Sequence, residues 1–174
     1  LKTNSIVVKF NFYKKKYKKI DKSLNIIVEK NIIYIADNFG YIYAFNYKNN
    51  KILWAKNFNV PFRSNLKLKS NKIFISNQNN DFLIINKVTG DLIKLIPIEE
   101  TIINNSFINN LSLTNNQVFF LNTYGSLYAI DINNFRFNWF INLNNSIELN
   151  VTNLFDGSEI VIAKDNILLS ANEN

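Results

Sequence analysis

Cysteine, histidine and methionine are absent from the 174 residues, and glycine (4) and proline (2) are scarce. Without Cys or His there is no disulfide framework, thiol nucleophile, Cys- or His-ligated zinc, haem-attachment motif or Ser-His-Asp triad. Histidine-based acid/base catalysis is excluded on the same ground. Carboxylate, lysine, tyrosine and backbone chemistry remain. No apolar run reaches the roughly 18 residues that a membrane-spanning helix needs. Leu1-Lys2-Thr3-Asn4 is polar and no long apolar stretch follows, so no signal peptide is read. With no methionine to start it, the chain is expected to be processed, trimmed or cut from a longer reading frame.

What is present is 47% hydrophobic residues, with 15 Phe and 8 Tyr, in a length that suits one domain with a real core. Asn, Ile, Lys, Phe and Tyr are heavily used, and all are written with A- and T-rich codons. Asn therefore substitutes for Gly and Asp in turns, because it tolerates the left-handed conformation. The net charge is +7, unevenly spread. Residues 1–72 carry 16 Lys/Arg against 3 Asp/Glu, and residues 73–174 carry 4 against 10. The densest basic stretch is Tyr13-Lys14-Lys15-Lys16-Tyr17-Lys18-Lys19. Lysines interleaved with tyrosines suit nucleic acid, anionic lipid or an acidic protein. The competing reading is a solvated edge whose lysines block strand pairing.

Internal repetition decides the architecture. Asn31–Trp54, Asn71–Lys94 and Asn116–Trp139 align, and the first and third share register without a gap: Gly40 with Gly125, Tyr43 with Tyr128, Ala44 with Ala129, Trp54 with Trp139. Each copy reads as short strands. Ile32–Asp37 and Tyr41–Asn46 flank the turn Asn38-Phe39-Gly40, and Ile52–Lys56 follows a second turn. Leu24–Glu29, Leu66–Lys69 and Phe107–Leu113 supply a further strand ahead of each copy. Four strands in 40–45 residues match a propeller blade. The expectation is an all-β propeller with blades at residues 24–58, 64–98 and 106–142 and partial blades at 5–20 and 146–172. The N-terminal partial blade is placed on strands Ile6–Asn11 and Tyr17–Ile20. The C-terminal one is placed on Ser146–Asn153, Glu159–Ala163 and Ile167–Ser170. An open fragment of a larger propeller is preferred over a closed four-bladed ring.

These landmarks resemble the PQQ-like, or tryptophan-docking, repeat, whose pattern runs Gly-x-x-Tyr-Ala-x-Asp-x-x-x-Gly-Lys-x-x-Trp. The first copy gives Gly40, Tyr43, Ala44, Asn46, Asn50, Lys51 and Trp54. The third gives Gly125, Tyr128, Ala129 and Asp131, then Phe135 and Arg136 in place of Gly-Lys, then Trp139. The second is degenerate, with Asn80, Ile84 and Lys94 where Gly, Ala and Trp belong, but Thr89-Gly90 keeps its turn. The resemblance implies that the small Ala lets sheets approach, that Asp or Asn closes a turn, and that Trp54 and Trp139 fill the wedge between blades rather than stack on a ligand. Within this group the chain is most similar to the BamB family of outer-membrane assembly lipoproteins, through Val60–Leu68 and Glu100–Leu113. It lacks their signal peptide and acylated Cys, which implies a missing N-terminal part.

Two functional classes share such repeats. Quinoprotein dehydrogenases close eight blades around PQQ and calcium, often under a vicinal disulfide. The absence of Cys and of an acidic constellation argues against that class. Glu99 and Glu100 are adjacent in an extended connection, where neighbours point opposite ways. Asp156 and Glu159 flank Gly157 as turn residues, without EF-hand spacing. The reading is therefore a non-catalytic scaffold with no cofactor and no metal. The resemblance implies β-barrel assembly machinery as partner, a periplasmic, outer-membrane-associated location, and recognition by strand addition at blade edges. A dehydrogenase-like fragment and a basic surface for lipid or nucleic acid are the alternatives. Candidate partner contacts are Phe62 and Arg63 after the first blade, and Phe135 and Arg136 in the turn of the third.

Overall fold

The structure is a computed structural model describing residues 6, 8–17, 19–99, 108–144, 154–164 and 166–170. Among the described residues, fourteen strands form three four-stranded antiparallel meanders and one two-stranded hairpin. The first meander is β1 (Leu24–Glu29), β2 (Ile32–Asp37), β3 (Tyr41–Asn46) and β4 (Lys51–Asn57). The second is β5 (Lys67–Lys69), β6 (Lys72–Ser76), β7 (Phe82–Asn86) and β8 (Leu92–Ile96). The third is β9 (Asn110–Leu113), β10 (Gln117–Leu121), β11 (Ser126–Asp131) and β12 (Phe137–Asn142). The hairpin is β13 (Val161–Ala163) and β14 (Asn166–Leu168). This is the expected all-β propeller architecture, built from blades with partial units at the ends.

The strand pattern explains the stacking. Successive residues point to opposite faces of a sheet, and the middle strands β2, β3, β6, β7, β10 and β11 are apolar on both. On β3, Ile42 and Ala44 join Tyr34 and Ala36 in a core shared with Ile73, Ile75, Leu83 and Ile85 of the second blade. The other face of the second blade (Phe74, Phe82, Ile84) packs on Val118, Phe120, Tyr128 and Ile130 of the third. The other face of the third (Phe119, Leu121, Leu127, Ala129) packs on Ile160, Ile162 and Ile167. Each blade thus presents its Tyr/Leu position (43, 83, 128) backwards and its Ala/Ile position (44, 84, 129) forwards. Ala44 and Ala129 are fully buried, which is the close approach their small side chains permit.

The first strands lie innermost, where Ser64 and Asn109 form a parallel bridge between blades. The fourth strands are outermost. A β-bulge recurs at the same point of each blade, after Ala44, Ile84 and Ala129, and adds local twist. The turns are equally regular. Gly40, Asn80 and Gly125 all have positive φ, as do Asn50, Gly90 and Phe135 one turn later. Asn80 replaces Gly at its position because Asn adopts this conformation at modest cost.

The N-terminus departs from expectation. Among the described residues, Ile6–Asn11 and Tyr17–Ile20 contain no strand; the segment is irregular, with one 3-10 turn at Lys15–Tyr17. It packs on the face of the first blade where a preceding blade belongs, with Phe10 against Phe45 (4.8 Å between rings) and Phe12 against Tyr43 (5.0 Å). The segment supplies aromatic burial without a partner strand to extend it. At the other end β13 lies within the expected Glu159–Ala163, β14 overlaps the expected Ile167–Ser170 but begins one residue earlier, and Ser146–Asn153 is outside the described residues.

Candidate interaction surface

The two ends of every blade are built by acceptor side chains that hold turns. At one end Asp37, Asn77 and Asn122 occupy equivalent positions after the second strand. Asp37 Oδ1 accepts from the amides of Phe39 (2.9 Å) and Tyr41 (2.8 Å). Asn77 Oδ1 accepts from Asn79 and Asp81, and Asn122 Oδ1 from Tyr124 and Ser126. At the opposite end Asn46, Asn86 and Asp131 repeat the device, each accepting from the amides two and three residues on. Those two amides hold the Asp131 carboxyl below its ordinary range. The sequence reading found the second set through Asn46 and Asp131. It missed the first set, whose signal is an Asp or Asn directly after each second strand.

The tryptophans divide. Trp54 docks on the following blade: its Nε1 donates to Lys87 O at 3.1 Å. A Cβ on Gly90 would lie 2.5 Å from Trp54 Cε3, so only glycine fits beneath the indole, and φ of +77° favours it as well. Two ion pairs cross the same junction, Lys87–Glu29 and Lys56–Asp91, both 2.7 Å. The Lys56 ammonium lowers the exposed Asp91 carboxyl. In the next junction Lys94 replaces the tryptophan and Phe135 replaces the glycine. Phe135 packs against the core between blades two and three, with Lys72 Nζ 5.6 Å from its ring centroid. The tryptophan-on-glycine contact of the first junction is thus replaced by Phe135 packing on the core and under Lys72. Trp139 pairs across the sheet with Ala129, as Trp54 does with Ala44, but is 40% exposed.

The four candidate contact residues do not converge. Phe62 and Arg63 lie at the Asp37–Asn77 end, and Phe135 and Arg136 at the other. Phe62 is 2% exposed. It bridges to Asn77 and packs on Phe58, so it is a core residue and is withdrawn from the surface. Phe135 is half-buried as described, while Arg136 is exposed, its amide donating to Asn134 Oδ1. Arg63 is half-buried. Its amide donates to Ser76 O and its carbonyl accepts from Asn109. Among the described residues its guanidinium makes one long contact, Nη2 to Gln78 Oε1 at 3.4 Å, and Nε is buried without a partner. Beneath it runs a network the sequence reading missed. Ser76 N donates to Ser64 Oγ (2.7 Å), and Asn109 Nδ2 donates to Ser76 Oγ (2.9 Å) and Asn77 O (3.2 Å).

Two further places collect polar groups. A cleft of about 440 Å³ between the N-terminal segment and the first blade is lined by Lys14, Lys16, Tyr17, Tyr41, Tyr43 and Lys56, among others. There Tyr13 OH donates to Asp37 Oδ2 at 2.8 Å, and burial followed by that bond raises the Tyr13 phenol. Lys16 lowers the phenol of half-buried Tyr17. A second cavity of about 490 Å³ lies where the inner strands meet, lined by Asn25, Asn65, Ile108, Asn110, Asp156, Gly157 and Glu159. Glu99 is committed elsewhere: its Oε2 accepts from Asn122 Nδ2 at 2.7 Å. Burial and then the Glu99 charge push Tyr128 up to about 12. Glu100 is outside the described residues. Among the described residues no three His, Cys, Asp or Glu side chains group as a metal site, and no helix is long and apolar enough to cross a membrane.

No protein-family model and no curated protein matches the chain. Solved structures do. BamB from Moraxella catarrhalis superposes with a TM-score of 0.73 at 10% identity, over 86% of this chain and 46% of that one. The computationally designed Ika4 protein gives 0.67 at 13%, over 88% of both chains. Quinohemoprotein alcohol dehydrogenase from Comamonas testosteroni gives 0.55 at 12%, over 67% of this chain and 20% of that one. The chain spans under half the length of BamB. At these identities the likeness establishes the fold: part of a β-propeller of the kind found in BamB and in the PQQ dehydrogenases.

Proposed function

We propose that the chain is a non-catalytic propeller scaffold of the BamB kind, which binds protein segments during assembly of β-barrel proteins into the outer membrane from the periplasmic side. The observation that carries this reading is Arg63. Its backbone is pinned at a blade end by bonds on both sides, its guanidinium reaches Gln78 Oε1 at 3.4 Å, and Nε has no acceptor among the described residues. A buried donor left unpaired costs about 1–3 kcal/mol, which a partner's carboxylate or carbonyl would recover once the half-buried side chain turns outward to meet it. Ser64, Ser76, Asn77 and the Asn109 Nδ2 are taken up by turns and by the inter-blade network, so the site is read as one of recognition rather than acid/base chemistry. The fold likeness to BamB supports the partner class by analogy.

The experiment is binding of the chain to a purified β-barrel assembly protein. Arg63→Glu is expected to weaken binding about tenfold or more, equivalent to roughly 1.4 kcal/mol, with an unchanged circular dichroism spectrum. Unchanged affinity removes Arg63 from the interface. The likeness to PQQ dehydrogenases supports a second reading, a dehydrogenase-like fragment. Dye reduction by an alcohol with PQQ and calcium supplied would establish that reading and sink the scaffold.

A further inference from the structure

Two tyrosines fix the lysine-rich segment to the first blade. The rings of Tyr13 and Tyr17 pack against Phe39, at 5.9 and 5.1 Å between centroids, and the Tyr13 hydroxyl is tied to Asp37 Oδ2 at 2.8 Å. The 3-10 turn closes with Tyr17 N donating to Lys14 O at 3.0 Å. Residues three apart stand on one side of such a turn, so Lys14 and Tyr17 fall together. Lys22 Nζ locks the end of the turn, donating to the carbonyls of Tyr17 and Ile20, both at 2.6 Å.

The lysines carried by this turn have no internal task. Lys14, Lys15 and Lys16 are exposed, and among the described residues none of them forms an ion pair. The described residues of the segment contain no strand, so the lysines do not guard a strand edge of their own, the role that otherwise explains such a run. Lys14 and Lys16 instead line the cleft of about 440 Å³, joined by Lys56 of β4 and walled by Tyr17, Tyr41 and Tyr43. The Lys16 ammonium and then the Tyr41 hydroxyl lower the Tyr17 phenol, so an ammonium and two hydroxyls meet on one wall. The nearby carboxylates are engaged. Asp37 holds its turn and Tyr13. Asp91 holds Lys56 at 2.7 Å, with the two side chains 63% and 42% exposed, and so exposed a pair opens readily.

We propose that this cleft binds a phosphate monoester, its oxygens held by Lys14, Lys16 and Lys56 and by the hydroxyls of Tyr17 and Tyr41. Near pH 7 a monoester carries a charge of about −1.5 to −2 and three acceptor oxygens. That suits two ammonium groups without a carboxylate and the phenol donors beside them, whereas a carboxylate or a phosphodiester brings a single charge. Lysine binds phosphate as a point charge and needs no fork geometry. Phe12, Tyr43 and Ile52 give the cleft an apolar wall for the esterified carbon skeleton. The same group comes from a soluble ester such as glycerol 3-phosphate or from a lipid headgroup such as phosphatidic acid. The site draws on neither Arg63 nor a barrel-assembly partner.

The test uses the whole chain at constant ionic strength: calorimetric titration with inorganic phosphate and glycerol 3-phosphate, and co-sedimentation with phosphatidylcholine vesicles with and without phosphatidic acid. At least one source is expected to bind. Lys14→Ala together with Lys16→Ala is expected to weaken binding about tenfold or more, with an unchanged circular dichroism spectrum. Asp91→Asn releases Lys56 and is expected to strengthen it about twofold or more. Lys9→Ala together with Lys48→Ala removes equal charge from a separate cleft and is expected to change it less than about twofold. Binding confined to the vesicles assigns a lipid source, and binding confined to the soluble esters a soluble one. Failure of both sources overturns the proposal. Equal loss in the two double variants overturns it as well, since a diffuse basic surface then suffices. So does equal or tighter binding of a single-stranded oligonucleotide without a terminal phosphate, whose phosphates are all diesters.

Discussion

Replacing Gly90 by Ala perturbs the junction in which Trp54 is docked, and its cost can be built from parts. The backbone at Gly90 has φ +77°, and an L-residue with a Cβ held there costs about 1–2 kcal/mol. The added Cβ lies 2.5 Å from Trp54 Cε3 and 2.8 Å from Cδ2. Both are ring atoms, so the indole must move as a body. Moving it lengthens the 3.1 Å bond from Nε1 to Lys87 O, worth about 1 kcal/mol, and opens packing beside Tyr34, whose ring centroid is 6.2 Å from that of Trp54. Gly90→Ala is therefore expected to destabilise by about 2–4 kcal/mol, read from urea unfolding at constant slope. In a Trp54→Ala background only the backbone cost remains, so the two changes should couple by about 1–2 kcal/mol. Gly90→Asn separates the terms, because Asn50 and Asn80 already hold φ of 53° and 65° in this chain. It should retain the contact cost and shed most of the backbone cost. Additivity of Gly90→Ala and Trp54→Ala within about 0.5 kcal/mol would refute the docking argument.

Other consequences follow from the same junctions. In the second junction, Lys94→Trp or Phe135→Gly alone should destabilise, and the pair should recover stability in a thermal melt, because together they restore the Trp-on-Gly contact of the first. Phe62→Ala should cost about 3–5 kcal/mol in urea unfolding, while Arg136→Ala, on an exposed side chain, should cost under about 0.5 kcal/mol. Burial raises Tyr128 to about 12 from an ordinary value near 10. Stability from its neutral phenol is present below pH of about 10 and is lost as pH rises through about 12. Tyr128→Phe should flatten stability in that window, followed by tyrosinate absorbance together with circular dichroism. Ser64→Ala leaves the buried Ser76 amide without its 2.7 Å acceptor and should cost about 1–3 kcal/mol.

Much of the fold is legible because a blade's needs are local. Alternating Ile, Tyr and Phe make the strands, Asn and Asp make the turns, and the Gly–Tyr–Ala–Trp landmarks recur in register, so β1, β2 and β3 fall on the residues expected. What was not legible depends on neighbours. Ile6–Asn11 has a strand's composition, but a strand needs a partner edge, and among the described residues it has none. Phe62 follows a proline in a connection and reads as exposed; only the approach of the second blade buries it. The Ser64–Ser76–Asn109 network joins residues up to 45 positions apart, with no periodic signal within a blade. Lys94 in the place of Trp looks like decay in one copy, and only the adjoining blade shows that Phe135, where Gly belongs, packs on the core of that junction.

The account's central claim is that recognition occurs at the blade end carrying Arg63. Hydrogen exchange measured by mass spectrometry, with and without a β-barrel assembly protein, tests it most directly. The account expects slowed exchange in residues 58–66 and 77–81 on binding, with residues 132–136 at the opposite end unchanged. Protection confined to residues 132–136, or none at saturating partner, would contradict it.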